Sequence, residues 1–182
     1  MPPLKQGIGL PVAPFALANL DGQGARSLQD CLEGRRGAVV VFWSGVCSHC
    51  VRYDEYFNTF QARHPELGFV AIASRLSETR AMMQSSVRDR RLTFPILVDE
   101  GGATARQWYA QQTPRCYLLT PDRTLLYRGA IDNFKMPGDP DYAAYLEPAV
   151  SSFLAGEPIA RPETASFGCA IETVYYQIPG QL

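Results

Sequence analysis

Two cysteines separated by two residues, Cys47 and Cys50, follow a short apolar run, AVVVFW, and a turn of small residues, Ser44-Gly45. If the chain turns helical there, Cys47 falls in the first turn, where unpaired backbone N–H groups and the helix dipole favour negative charge. A thiolate is the reactive form of cysteine, so that position activates it. Cys50 then lies about one helical turn on, close enough to attack a mixed disulfide formed at Cys47 and to release its other half. His49 stands between them, and a partly cationic imidazole near Cys47 would stabilise the thiolate further and make the disulfide more oxidising. The chemistry these residues suit is thiol–disulfide exchange.

Competing uses of a C-x-x-C pair have less support. A zinc site generally needs four ligands, and the chain has neither a second C-x-x-C nor a suitably spaced histidine pair. Covalent haem attachment needs histidine directly after the second cysteine, where Val51 stands. The remaining cysteines are Cys31, Cys116 and Cys169. An odd number at irregular spacing argues against a disulfide scaffold and for a small redox set plus structural thiols. Cys31, in a short helix, and Cys116, on an apolar strand, read as buried packing residues. Cys169, in a Gly-Cys-Ala-Ile stretch, is a candidate third redox thiol that bonds to Cys47 or Cys50 or guards the site.

The elements that must position this pair follow from pattern. Ala38 to Trp43 is a continuous apolar run of strand length, expected to be a buried parallel strand. A helix is expected over Ser48 to His64, with Tyr53, Tyr56, Phe57 and Phe60 marking its buried face. Further strands are expected at Phe15 to Leu20, Gly68 to Ala73 and Phe94 to Asp99, with a hairpin from Cys116 to Thr120 and Thr124 to Ile131. Helices are expected at Ser27 to Gly34, Glu78 to Leu92, Ala103 to Tyr109 and Tyr142 to Ala155, and a surface loop over Asp132 to Asp141. This order gives an α/β fold with a mixed central sheet, parallel strands in front, an antiparallel C-terminal hairpin, and helices on both faces. The expected organisation is one domain over 1–156 and a C-terminal tail over 157–182 that packs on it.

The chain has 182 residues, 46% apolar and 19% charged, and a net charge of −1. That balance offers no electrostatic case for nucleic acid. No run of 18 or more apolar residues is present to span a membrane, and the first residues do not form a secretory leader. The expected location is the cytoplasm, or the periplasm if a leader has been removed. No cofactor is expected.

Four stretches, PVAPFALANLDGQGARSLQD, VVVFWSGVCSHC, TPRCYLLTPDRTLLYRGAIDN and RPETASFGCAIE, carry a resemblance over most of residues 10 to 172. They resemble the thioredoxin superfamily, and within it the redoxin branch shared by thiol–disulfide oxidoreductases and peroxiredoxins. The CxHC site with a Gly-Cys-x-Ile tail is similar to a group of peroxiredoxin-like proteins. The resemblance implies that Cys47 is the nucleophile and Cys50 the resolving thiol. From the residues alone Thr113-Pro114 reads as a trans loop proline; the resemblance implies a cis bond facing Cys47, with Thr113, Pro114 and Arg115 forming the substrate groove and Trp43 an apolar platform. The partners implied are protein or small-molecule disulfides and thiols.

Two departures matter. Val41 occupies the position at which thioredoxins carry a buried proton-accepting aspartate. In the peroxiredoxin pattern P-x-x-x-T-x-x-C, Ser44 takes the threonine position and Cys47 the cysteine, but Val40 replaces the proline. A peroxidase site of Cys47, Ser44 and Arg115 is therefore the alternative, with peroxide as substrate. A second alternative is a copper-handling module built on Cys47, Cys50 and His49 or Cys169.

Overall fold

A computed structural model describes residues 7–175. The start of the N-terminal lead-in and the last seven residues of the tail lie outside the described residues. Seven strands form one sheet: β1 (Ala16–Asn19), β2 (Ala25–Ser27), β3 (Gly37–Trp43), β4 (Leu67–Ala73), β5 (Ile96–Val98), and, further along the chain, β7 (Arg115–Leu119) and β8 (Leu125–Gly129). A two-residue strand, β6 (Gln112–Thr113), precedes β7 and pairs outside this sheet with β9 (Cys169–Ala170). The order across the main sheet is β2-β1-β5-β4-β3-β7-β8. Strands β3, β4 and β5 are parallel, and β1, β7 and β8 pair antiparallel with their neighbours. This is the mixed sheet expected.

Every residue of β3 and β4 is buried, which explains their unbroken apolar sequence. The two faces still separate with a period of two. Val39, Val41 and Trp43 join one core cluster, and Ala38, Val40 and Phe42 join the other. The first cluster is covered by α3 (Asp54–Arg63), α4 (Arg80–Arg90) and α6 (Leu146–Leu154). It also contains Cys47 and Cys50. The second is covered by α1 (Leu28–Leu32) and by Trp108, which follows α5 (Ala103–Gln107). Trp108 meets Phe15, Phe42 and Tyr117 with ring centroids 5.8, 5.9 and 5.2 Å away. Cys31 and Cys116 are buried in these clusters, and burial pushes the Cys31 thiol up to about 11.

Three elements differ from the sequence expectation. The helix expected from Ser48 to His64 is two: α2 (Ser48–Val51) and α3, broken at Tyr53, which has φ −104° and ψ 13°. The Tyr53 hydroxyl donates to Asp132 Oδ1 at 2.5 Å, tying the break to the segment after β8. Helix α6 begins at Leu146 rather than Tyr142, because the N–H groups of Tyr145 and Leu146 both donate to the carbonyl of Ile131, at 2.9 and 3.1 Å. The tail, for which no elements were expected, forms β9 and α7 (Glu172–Tyr175). No helix among the described residues is long and apolar enough to cross a membrane.

Candidate active site

Cys47 is the N-cap of α2, at the end of the loop that leaves β3. Its side chain has no solvent exposure, nor has that of Cys50. The Cys47 thiol donates to the carbonyl of Thr113 at 3.3 Å, so Cys47 faces the Thr113–Pro114 junction. That peptide bond is cis, in agreement with the resemblance. Thiol bonds from Cys50 and Cys169 and a hydroxyl bond from Thr113 hold the Cys47 thiol well below the ordinary cysteine range, against the opposing effect of burial. Burial, with the Cys47 charge beside it, pushes Cys50 up. One thiol is thus poised as thiolate and its neighbour kept protonated, the division of labour that a nucleophile and a resolving thiol need.

The groups that stabilise Cys47 differ from those read in the sequence. His49 is not among them: it turns toward a cleft beside Pro114. The short α2 is followed at once by the break at Tyr53, so local hydrogen bonds rather than a long helix hold the charge. Trp43 is fully buried, edge-on to Phe94 at 6.0 Å and with the Arg90 guanidinium 5.9 Å from its ring centre. It supports the thiol loop from beneath and does not form an open platform. The exposed apolar groups next in sequence to Cys47 and Cys50 are instead Val46 and Val51, and Phe167 is exposed two residues before Cys169.

The model of the AhpC/TSA family matches residues 8–128. The chain belongs to this family. Among curated relatives it is similar to the thiol-disulfide oxidoreductase ResA of Bacillus thuringiensis, with 27% identity over 118 residues, 65% of this chain and 66% of the relative. Among solved structures, a hypothetical protein from Sinorhizobium meliloti superposes with a TM-score of 0.80 at 26% identity, covering 92% of this chain and 95% of the other. The fold is shared with a putative thiol:disulfide interchange protein DsbE from Chlorobium tepidum, TM-score 0.66 at 21% identity, covering 82% of this chain and 99% of that one. The AhpC/TSA-family chain is thus a thioredoxin-superfamily protein of the redoxin branch, as the sequence resemblance implied.

In this AhpC/TSA-family chain the loop before Cys47 is clamped from both sides. The Ser44 hydroxyl donates to Glu78 Oε2 at 2.6 Å, and the Gly45 N–H donates to Glu78 Oε1 at 2.7 Å. The Gly45 carbonyl accepts from Ser86 Oγ at 3.2 Å and from Arg90, which also grips Asp54 with two bonds of 2.7 and 2.6 Å. Space at Gly45 is correspondingly closed: a Cβ there would lie 2.6 Å from Ser86 Oγ and 2.7 Å from Glu78 Oε1. Sequence reasoning missed Glu78, Ser86 and Arg90, because an acid before a helix and polar residues along it read as an ordinary surface pattern. Glu78→Ala leaves buried donors without an acceptor and is expected to destabilise the protein by about 1–3 kcal/mol, read from denaturant unfolding.

Beside Pro114 lies a cleft of about 510 Å³ lined by His49, Arg52, Asp132, Phe134 and Phe167 among others. Asp132 accepts from the hydroxyls of Tyr53 and Tyr142 and from the Phe134 N–H, and Arg52 stacks 3.9 Å from the Phe134 ring centre. Arg115 does not reach Cys47 in the described contacts; its guanidinium donates to Ser166 Oγ at 3.3 Å. Among the described residues no three His, Cys, Asp or Glu side chains are grouped so as to hold a metal ion.

The stabilised thiolate has a direct pH signature. Ultraviolet absorbance of the reduced protein is expected to show one thiolate persisting far below the ~8.5 of free cysteine. The folded pKa of Cys47 is depressed, so its contribution to stability is present above the unfolded value and is lost as pH falls through the folded one. Cys50 and Cys169 are shifted upward and stay protonated, folded or unfolded, below about pH 8, so they add no slope in that window. Denaturation of the reduced protein is therefore expected to become harder from mildly acid pH toward about pH 8, relative to the oxidised protein.

Proposed function

We propose that this protein is a thiol–disulfide oxidoreductase that acts through Cys47 and Cys50 on disulfides of polypeptides. The observation that carries the reading is the placement of Cys47 Sγ 3.3 Å from the Thr113 carbonyl beside Pro114, with Cys50 next to it as the protonated partner of a stabilised thiolate. The Cys47 thiolate attacks a substrate disulfide and forms a mixed disulfide, releasing one substrate sulfur as thiolate. Cys50 then loses its proton and attacks Cys47 Sγ; the second substrate sulfur leaves and an internal disulfide remains. With an oxidising partner the same steps run backward. Val41, at the position of the missing aspartate, is fully buried and takes no proton, and solvent takes the Cys50 proton.

The matched ResA proteins, of which the alignment spans 66%, are named for the same activity. The peroxidase alternative built on Ser44 and Arg115 has less support, since the Ser44 hydroxyl donates to Glu78 and the Arg115 guanidinium to Ser166. The test is dithiothreitol-driven reduction of insulin, run beside hydrogen peroxide consumption. Accelerated insulin reduction with peroxide turnover no faster than a free thiol's supports the reading. The reverse pattern refutes it and promotes Cys47 as a peroxidatic cysteine.

A further inference from the structure

Thr113 pairs antiparallel with Cys169 and Gln112 with Ala170, so β9 lies along the backbone just ahead of Pro114. That edge is where a bound polypeptide would add as a strand. The approach is tight. A Cβ on Gly168 would lie 1.8 Å from the Thr113 carbonyl oxygen and 2.7 Å from its carbon. The tail is anchored on both sides of β9. Before it, Thr164 bonds Arg128 and Tyr127, and the Gln112 side-chain amide donates to the Ser166 carbonyl. After it, the Ile171 N–H donates to the Gln111 carbonyl at 2.8 Å, Ile171 is fully buried, and Glu172 accepts from Ser77 at 2.6 Å. Cys169 is thereby placed against Cys47 and is half-buried, while Cys47 and Cys50 are both closed to solvent.

We propose that Cys169 is a third redox thiol that stands where a substrate cysteine would stand and moves the disulfide from Cys47–Cys50 to Cys47–Cys169. The proposal rests on the two-thiol reading above. Cys169 gives its proton to solvent and attacks Cys47 Sγ. The Cys169–Cys47 bond forms as the Cys47–Cys50 bond breaks, and the released electron pair stays on Cys50, which takes up a proton. One disulfide is consumed and one is formed, so no oxidant is needed beyond the substrate disulfide that oxidised the pair. The step is aided by a change of charge: burial and the Cys47 thiolate together favour the protonated Cys169, and the second of these is gone once Cys47 is in a disulfide, while Arg75 still favours the Cys169 anion. The disulfide then reaches a half-exposed sulfur. An external thiol that attacks Cys169 Sγ expels Cys47, whose stabilised thiolate makes it the better leaving group.

The test is disulfide mapping of the full chain after oxidation with one equivalent of oxidised glutathione, acid quench, and blocking of free thiols. The wild type is expected to carry both Cys47–Cys50 and Cys47–Cys169 bonds, Cys50→Ser mainly Cys47–Cys169, and Cys169→Ser only Cys47–Cys50. A wild type with the Cys47–Cys50 bond alone overturns the relay and leaves the two-thiol reading intact. So does a Cys50→Ser protein that stops at a Cys47–glutathione adduct with Cys169 free. A wild type that forms no Cys47–Cys50 bond overturns the two-thiol reading, and the relay with it.

Discussion

Cys47→Ser is expected to reduce insulin no faster than dithiothreitol alone, a loss on the order of 10³-fold or more. The reason is chemical before it is structural. Attack on a disulfide needs a soft anionic sulfur, and the Cys50 and Cys169 thiols and the Thr113 hydroxyl favour that anion against the opposing effect of burial. A serine hydroxyl keeps its proton at neutral pH and gains nothing from those donors. The substitution exchanges one buried sulfur for oxygen and also takes away the thiolate's contribution to stability at neutral pH, so unfolding in denaturant is expected to shift to lower concentration, and the rates are compared where both proteins are fully folded so that the lost rate can be assigned to chemistry. A companion variant separates the two steps. Cys50→Ser alone leaves Cys169 beside Cys47, able to discharge a mixed disulfide once the tail regains its place. Cys50→Ser combined with Cys169→Ser is therefore expected to accumulate the covalent intermediate, visible by mass on non-reducing separation. Retained turnover in Cys47→Ser would sink the mechanism.

Gly168→Ala is expected to open the site. The added methyl would meet Thr113 backbone atoms, at 1.8 Å from O and 2.7 Å from C, with Pro114 N at 3.4 Å. Backbone on β6 cannot swing aside as a flexible side chain can, so β9 must move away. Two results follow together. Cys47, with no exposed surface in the closed form, becomes open to iodoacetamide, and its alkylation is expected to speed up by about tenfold or more. Its pKa rises toward the ordinary cysteine value, because the Cys169 thiol and N–H no longer reach the thiolate. The stability cost is expected to be about 1–3 kcal/mol, that of forcing an extra methyl into a closed contact. Alkylation followed by mass spectrometry, with thiolate absorbance against pH, checks both. An unchanged alkylation rate would show that β9 does not cover Cys47.

The AhpC/TSA-family chain also shows which of its properties are local. The apolar run of β3, the turn Ser44-Gly45 and the C-x-x-C spacing were legible in the sequence because each depends on neighbours along the chain. The same holds for the Ser27 cap of α1, whose hydroxyl accepts from the Asp30 N–H at 3.0 Å while Asp30 accepts from the Ser27 N–H at 2.7 Å. The mixed sheet followed from the order of such elements.

Tertiary structure decided what surrounds the thiols. His49, next in sequence to Cys50, looked like the group that tunes Cys47, yet the donors are the Cys50 thiol, which the C-x-x-C spacing already supplies, and Cys169 and Thr113, which lie 122 and 66 residues beyond Cys47. The loop's stabilisers, Glu78 and Arg90, come from the segment that begins α4 and from its last turn, and neither carries a sequence signature for that task. The β6–β9 pair has two residues on each side, too short for any alternation of apolar and polar residues to announce it. A thiol's reactivity depends on what lies within hydrogen-bond reach in space. Sequence determined the C-x-x-C pair and the strand that presents it; only the folding of a distant tail onto β6 decided that both thiols are closed to solvent and that Cys169 pairs along the backbone beside them.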